Sequence, residues 1–151
     1  MAEKTVKTLA EFESEAARFA LSLAPIDRAT LVMLSGELGA GKTAFTKAAA
    51  RTLGVEETVN SPTFVLEKIY LLPRKEGHPM SDFARLVHID AYRLEKGSDL
   101  APLGFDELMK DSGNLILLEW PEKVADALPT PSVRISITTL PDDSRTISYA
   151  P

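Results

Sequence analysis

The stretch Gly36-Glu37-Leu38-Gly39-Ala40-Gly41-Lys42-Thr43 decides how the rest of this chain is read. It has the spacing of a phosphate-cradling loop. Glycines let successive backbone N–H groups turn inward, a lysine reaches the outer phosphates, and a hydroxyl can join a magnesium shell. Gly36, Gly39, Ala40, Gly41, Lys42, Thr43 and Ala44 therefore form the candidate nucleotide-binding set. Immediately before the loop, Leu31-Val32-Met33-Leu34 is a short continuous apolar run, the pattern of a strand buried on both faces in a parallel sheet. Immediately after it, Ala44, Phe45, Ala48, Ala49 and Leu53 favour a helix starting at Lys42, with Gly54 as its stop. Such a helix turns its free N–H groups and positive dipole end toward a bound anion. Strand, loop and helix thus come in the order a P-loop requires, and the expected class is α/β, a P-loop NTPase fold with a mixed, mostly parallel sheet flanked by helices.

Working toward the N-terminus, residues 3–7 suit a short edge strand. Thr8-Leu9-Ala10-Glu11 has the form of a capping box, and Leu9, Phe12, Ala16, Phe19, Ala20 and Leu23 recur at helical spacing up to a break near Pro25. Toward the C-terminus, residues 65–72 and 85–89 read as two strands joined by a long polar hairpin loop around residues 73–79. Residues 97–111 hold short helical pieces. Leu115-Ile116-Leu117-Leu118 is a second buried strand, and Pro121 suits the first turn of a short helix reaching Leu128. Residues 133–137 and 146–149 alternate as strands around a turn at Pro141-Asp142-Asp143-Ser144.

A phosphate loop hydrolyses nothing alone; it needs a carboxylate at the end of a neighbouring strand to bind magnesium or orient water. Glu119 ends the run 115–118, and Asp90 ends the strand that contains His88 and Ile89. Either carboxylate suits either role. Ser61-Pro62-Thr63-Phe64 lies where nucleotide-switch proteins carry a phosphate-sensing hydroxyl, and Thr63 is the stronger candidate of its two hydroxyls. His88, on a strand, reads as a structural residue rather than a ligand. Tyr92 and Arg93, just beyond Asp90, could cap a site edge or contact phosphate, but they read more readily as a packed aromatic beside an exposed cation. Trp120, next to Glu119, either faces the nucleotide pocket or sits half-buried in the core.

Composition bounds the partners. The chain has 151 residues, 44% of them hydrophobic and 26% charged, which suits one soluble domain spanning residues 1–151. A net charge of -5 with scattered basic residues disfavours direct tight binding of nucleic acid. Absence of cysteine removes disulfides and thiolate chemistry, and the histidines lack metal-ligand spacing. No apolar run reaches the length of a membrane span, so no membrane association and a cytoplasmic location are expected.

Four motifs in order, residues 36–43, Ser61-Pro62-Thr63-Phe64, His88-Ile89-Asp90-Ala91-Tyr92-Arg93-Leu94 and Leu118-Glu119-Trp120-Pro121-Glu122-Lys123, resemble the bacterial TsaE (YjeE) family. That resemblance implies the small ATPase component of tRNA N6-threonylcarbamoyladenosine biosynthesis. Such a protein uses ATP and Mg2+ to support a TsaB–TsaD heterodimer and meets tRNA A37 only through that complex. Carried over position by position, Gly39 to Thr43 would wrap the phosphates, with Thr43 and Glu119 holding magnesium directly or through water. Asp90 would orient water or the metal shell, Thr63 would be the switch residue, and Trp120 would sit by the site. Slow turnover without partners is expected. Two features depart from the family pattern: a longer segment over residues 71–83, and Ser14-Glu15-Ala16 where a Glu-Thr pair is commoner.

Two other readings compete on the residues alone. A small-molecule P-loop kinase could use Asp90 as base, but it needs a lid of arginines, and only Arg74 and Arg85 flank a loop. A GTPase-like switch would carry an Asn-Lys-x-Asp guanine-reading sequence, which this chain lacks.

Overall fold

The computed structural model describes residues 2–57, 59, 66–75, 78–79 and 81–151. Its strands are β1 (Ala2–Val6), β2 (Thr30–Gly36), β3 (Glu67–Leu71), β4 (Arg74–Lys75), β5 (His78–Pro79), β6 (Arg85–Asp90), β7 (Asn114–Glu119), β8 (Val133–Thr139) and β9 (Arg145–Ala150). The helices are α1 (Leu9–Ser22), α2 (Lys42–Thr52) and α3 (Phe105–Met109). Seven strands form one sheet in the order β1-β9-β8-β2-β7-β6-β3, while β4 and β5 form a small hairpin of their own. The central strands β8, β2, β7 and β6 run parallel, and each edge is closed by antiparallel strands. The expected mixed, mostly parallel α/β sheet is what forms.

Local chemistry accounts for the elements that carry the site. α1 starts at Thr8, whose hydroxyl accepts from the Glu11 N–H at 3.1 Å. Glu11 answers by accepting from the Lys7 N–H at 2.6 Å, so the capping box closes one residue earlier than its usual form. The apolar face of α1 is Phe12, Ala16, Phe19 and Ala20; Leu9, expected on that face, is 67% exposed because it lies in the first turn, beyond the edge of the sheet contact. At the far end of α2, Gly54 takes φ 99 and donates to the Arg51 carbonyl at 3.1 Å, while Val55 donates to Ala50 at 3.0 Å. This pair of bonds is a Schellman cap, which favours glycine there.

The expected helix from Pro121 to Leu128 is instead two 3-10 turns, Pro121–Lys123 and Ala125–Ala127. Val124, buried completely against the sheet, takes φ -130 and interrupts them, so its burial outweighs continuation of the helix. Residues 97–111 resolve into a 3-10 segment, Gly97–Leu103, and α3, as the short-piece reading expects. The expected loop over residues 73–79 contains the β4–β5 pairing, with Arg74 opposite Pro79 and Lys75 opposite His78.

Each face of the sheet is covered. On one face α1 and α2 pack Phe12, Phe19 and Phe45 over Val32, Leu34, Leu86, Leu115 and Leu117. The Phe12 and Phe45 rings meet edge-on at 6.0 Å, and Phe19 stacks on Tyr149 at 5.3 Å. On the other face Leu100, Phe105 and Val124 cover Leu31, Met33, Val87, Ile89, Ile116 and Leu118. This alternation positions the site: in β7 the residues in phase with Leu115 and Leu117 include Glu119, and in β6 those in phase with Leu86 include His88 and Asp90. All three polar residues therefore share the face of α2.

Candidate nucleotide-binding site

The loop leaves the C-terminal end of β2 and enters α2 through Gly41, at φ 117 and ψ 16. A Cβ at this position would be strained by that backbone angle and would lie 3.0 Å from Phe12 Cζ, so glycine is required twice over. Arg145 braces the loop from β9: its Nε donates to the Ala40 carbonyl at 3.0 Å, and its guanidinium also donates to the Asp143 carbonyl at 2.6 Å. The parallel strands β6 and β7 end at the same edge, where ligands of open α/β sheets gather. In the ladder Asp90 lies opposite Glu119.

Lys42 is buried and turned back on the loop. Its Nζ donates to the carbonyls of Gly36 at 2.6 Å and Glu37 at 2.9 Å and lies 4.2 Å from the centre of the Trp120 ring. Burial draws its pKa below the ordinary lysine value, opposed by the charges of Glu119, Glu122 and Asp90. Thr43 Oγ1 lies 3.3 and 3.4 Å from the two carboxylate oxygens of Glu119. These are longer than ordinary O–H···O bonds, so neither group is committed to the other. Asp90 accepts from the Tyr92 N–H at 3.0 Å, an Asx turn that bends the chain away from the strand. Trp120 adopts a left-handed backbone, φ 59 and ψ 51, anchored by its N–H on the Leu34 carbonyl at 3.2 Å. A non-glycine residue in that region is held at a cost, and here it lays the indole across Lys42.

Two cavities flank the loop. One of about 290 Å³ is lined by Leu38, Gly39, Gly41, Lys42, Thr43, Ala44, Asp90, Tyr92, Glu119 and Trp120. The other, about 340 Å³, lies between the loop, the start of α1 and the β8–β9 turn, and includes Phe12, Asp143 and Arg145. Gly39, Gly41 and Ala44 line both.

Of the residues singled out by sequence, Gly39, Gly41, Lys42, Thr43, Ala44, Asp90, Glu119 and Trp120 meet around the first cavity. Gly36 contributes its carbonyl to Lys42, and Ala40 faces the second cavity. Thr63, with Ser61 and Phe64, lies outside the described residues. Tyr92 is 42% exposed at the edge of that cavity and packs on Trp120 with ring centres 5.1 Å apart, because the Asx turn carries it past the end of the sheet. Sequence reasoning missed Arg145, which is 105 residues from Ala40 and whose only local cue is the preceding turn. It also missed the role of His88, whose Nε2 hydrogen-bonds Glu119 Oε2 in the buried layer between β6 and β7. Arg85, a possible lid residue of a kinase, instead bonds Asn114 at 2.7 Å and Asp111, at the opposite end of the strands from the loop.

Fold and loop together define a single-domain α/β protein whose glycine-rich loop joins a buried strand to a helix. The family model described as threonylcarbamoyl adenosine biosynthesis protein TsaE matches residues 6–147, and the chain belongs to the TsaE family. It is 37% identical to the tRNA threonylcarbamoyladenosine biosynthesis protein TsaE of Treponema pallidum, over 83% of this chain and 84% of that one. The protein of the same name from Rickettsia prowazekii is 33% identical over 95% of this chain and 91% of its own length. The crystal structure of Bacillus subtilis YdiB superposes with a TM-score of 0.75 at 29% identity, covering 98% of this chain and 83% of that one. No helix among the described residues is long and apolar enough to cross a membrane.

Proposed function

We propose that this chain is the ATP-binding and ATP-hydrolysing component of tRNA threonylcarbamoyladenosine modification at A37, acting in the cytoplasm with TsaB and TsaD partners. The observation that carries the ATPase reading is the meeting of Thr43 and Glu119 at the N-terminus of α2, with Asp90 in the same cavity. The partner and tRNA assignments rest on family likeness.

The donor set suits Mg2+. Thr43 and Glu119 offer hard oxygens that are not committed to each other, and Asp90 adds a second carboxylate. So small a donor set suits an ion that keeps several waters and shares phosphate oxygens. Thr43 and Glu119 would hold the ion, with Asp90 in its outer shell or orienting water. Bound there, Mg2+ would neutralise charge developing on the phosphoryl oxygens.

The protein's own contribution is positioning. Backbone N–H groups of the loop and of the first turn of α2 bind the phosphates, and the dipole of α2 favours their charge. Lys42 exchanges its two carbonyl partners for phosphate oxygens; its partial desolvation strengthens that exchange. Asp90 holds the attacking water and accepts its proton, and Trp120 with Tyr92 shields the site from bulk solvent. The second cavity takes the nucleoside, with Phe12 as an apolar wall and Asp143 and Arg145 as its polar rim. The test is calorimetric titration with ATP and Mg2+ together with phosphate release: wild type binds and turns over slowly, and Lys42→Ala loses about 10- to 100-fold in affinity. Unchanged ATP affinity in Lys42→Ala sinks the reading.

A further inference from the structure

His88 stands on β6 with no exposed surface, one ring nitrogen on Glu119 and the other, Nδ1, without a hydrogen-bond partner among the described residues. Such an imidazole is not a packing element: a phenylalanine or leucine would fill the space without burying an unmatched nitrogen. Its place follows from the ladder. His88 is opposite Leu117, so Glu119 is its diagonal neighbour on the same face, a relation that long side chains can span.

We propose that His88 is the positioning residue of Glu119: its Nε2–H donates to Oε2 and holds the carboxylate toward Thr43. This rests on the ATPase reading for its purpose, though not for its geometry. A glutamate side chain has three rotatable bonds, and the two contacts from Thr43 are too long to fix them. The imidazole supplies the directed contact that does. The proton placement follows from the other nitrogen. An imidazole with its only proton on Nδ1 would bury an N–H that has no acceptor among the described residues and would meet the Glu119 carboxylate lone pair to lone pair. With a proton on Nε2, Glu119 accepts through Oε2 and its remaining lone pairs are left for Thr43 and the cavity. Among proteins that bind metals, partners one step behind the ligands hold ligand geometry in this way.

Two measurements on the full chain decide it. The chain has only two histidines, so 15N labelling of histidine gives two imidazoles, and a His78→Gln variant assigns the His88 signal. The expected spectrum is that of an imidazole carrying a proton on Nε2, with the Nε2 resonance moving in Glu119→Gln; an imidazole protonated on Nδ1 alone overturns the proposal. The second is calorimetric ATP affinity with and without Mg2+. His88→Phe loses about 10- to 100-fold of the magnesium-dependent part. His88→Gln, whose amide nitrogen reaches the same point, recovers most of it. If His88→Gln is as poor as His88→Phe, or both match wild type, the positioning role is overturned while the ATPase reading stands. If wild type itself shows no magnesium-dependent ATP binding, both fall. Should His88→Phe fail to fold, the tautomer and the His88→Gln titration still decide between the outcomes.

Discussion

Single side chains at the loop have separable jobs, and their loss reads out differently. Among the described residues the Glu119 side chain hydrogen-bonds Thr43 and His88, and none of its hydrogen bonds goes to the backbone of the loop. Glu119→Ala is therefore expected to spare magnesium-free ATP binding, to lose the magnesium-dependent part of the affinity, and to lower turnover on the order of 100-fold or more, the scale of charge stabilisation by a held ion. Equal loss of magnesium-free binding and turnover would make Glu119 a structural residue. Gly41 is a test of shape rather than charge. Gly41→Ala places a methyl group against the Phe12 ring in a left-handed backbone, at a cost of about 1–3 kcal/mol. Thermal melting should show it, at roughly 2–4 °C per kcal/mol for a chain of this size. ATP affinity falls with it, because Gly41 lines both cavities.

Among elements, α1 and β9 are joined by a buried polar contact that carries a pH signature. Glu15, in a part of α1 that departs from the family pattern, takes Arg18 Nε at 2.7 Å and the Tyr149 phenol at 2.8 Å. The Arg18 bond lowers the Glu15 pKa below its ordinary 4.5 despite the opposing effect of burial. Burial holds the Tyr149 phenol above its ordinary range, so it stays a donor. A depressed carboxylate stabilises the fold above about pH 4.5 and ceases to do so as pH falls through its lower folded value. Urea unfolding should then find Glu15→Gln less stable by about 1.5–3 kcal/mol at pH 7, with the gap closing in acid. Elements of this kind were legible in the sequence where period and caps agreed, as in α1, β2, α2 and β7. The 3-10 turns after Trp120 were not, because burial of Val124 breaks a helix that Pro121 would start.

At the scale of the whole molecule, the proposed nucleotide site occupies one edge of the sheet, with the exposed groups Leu38 and Tyr92 at its rim. Adding the TsaB–TsaD pair should raise ATP turnover severalfold, measured as phosphate release; no change would sink the coupling. Sequence alone determined the glycine-rich loop, the strand and helix on either side of it, and the two strand-end carboxylates. These depend on neighbouring residues: glycine geometry, runs of apolar side chains and caps. Tertiary structure decided which groups face one another. It set Asp90 beside Glu119 through strand register, put His88 on the same face by alternation, and brought Arg145 to Ala40 across the sheet. Sequence spacing carries no such information, since strand order and pairing are chosen by burial of both faces of a sheet whose neighbours lie far apart along the chain.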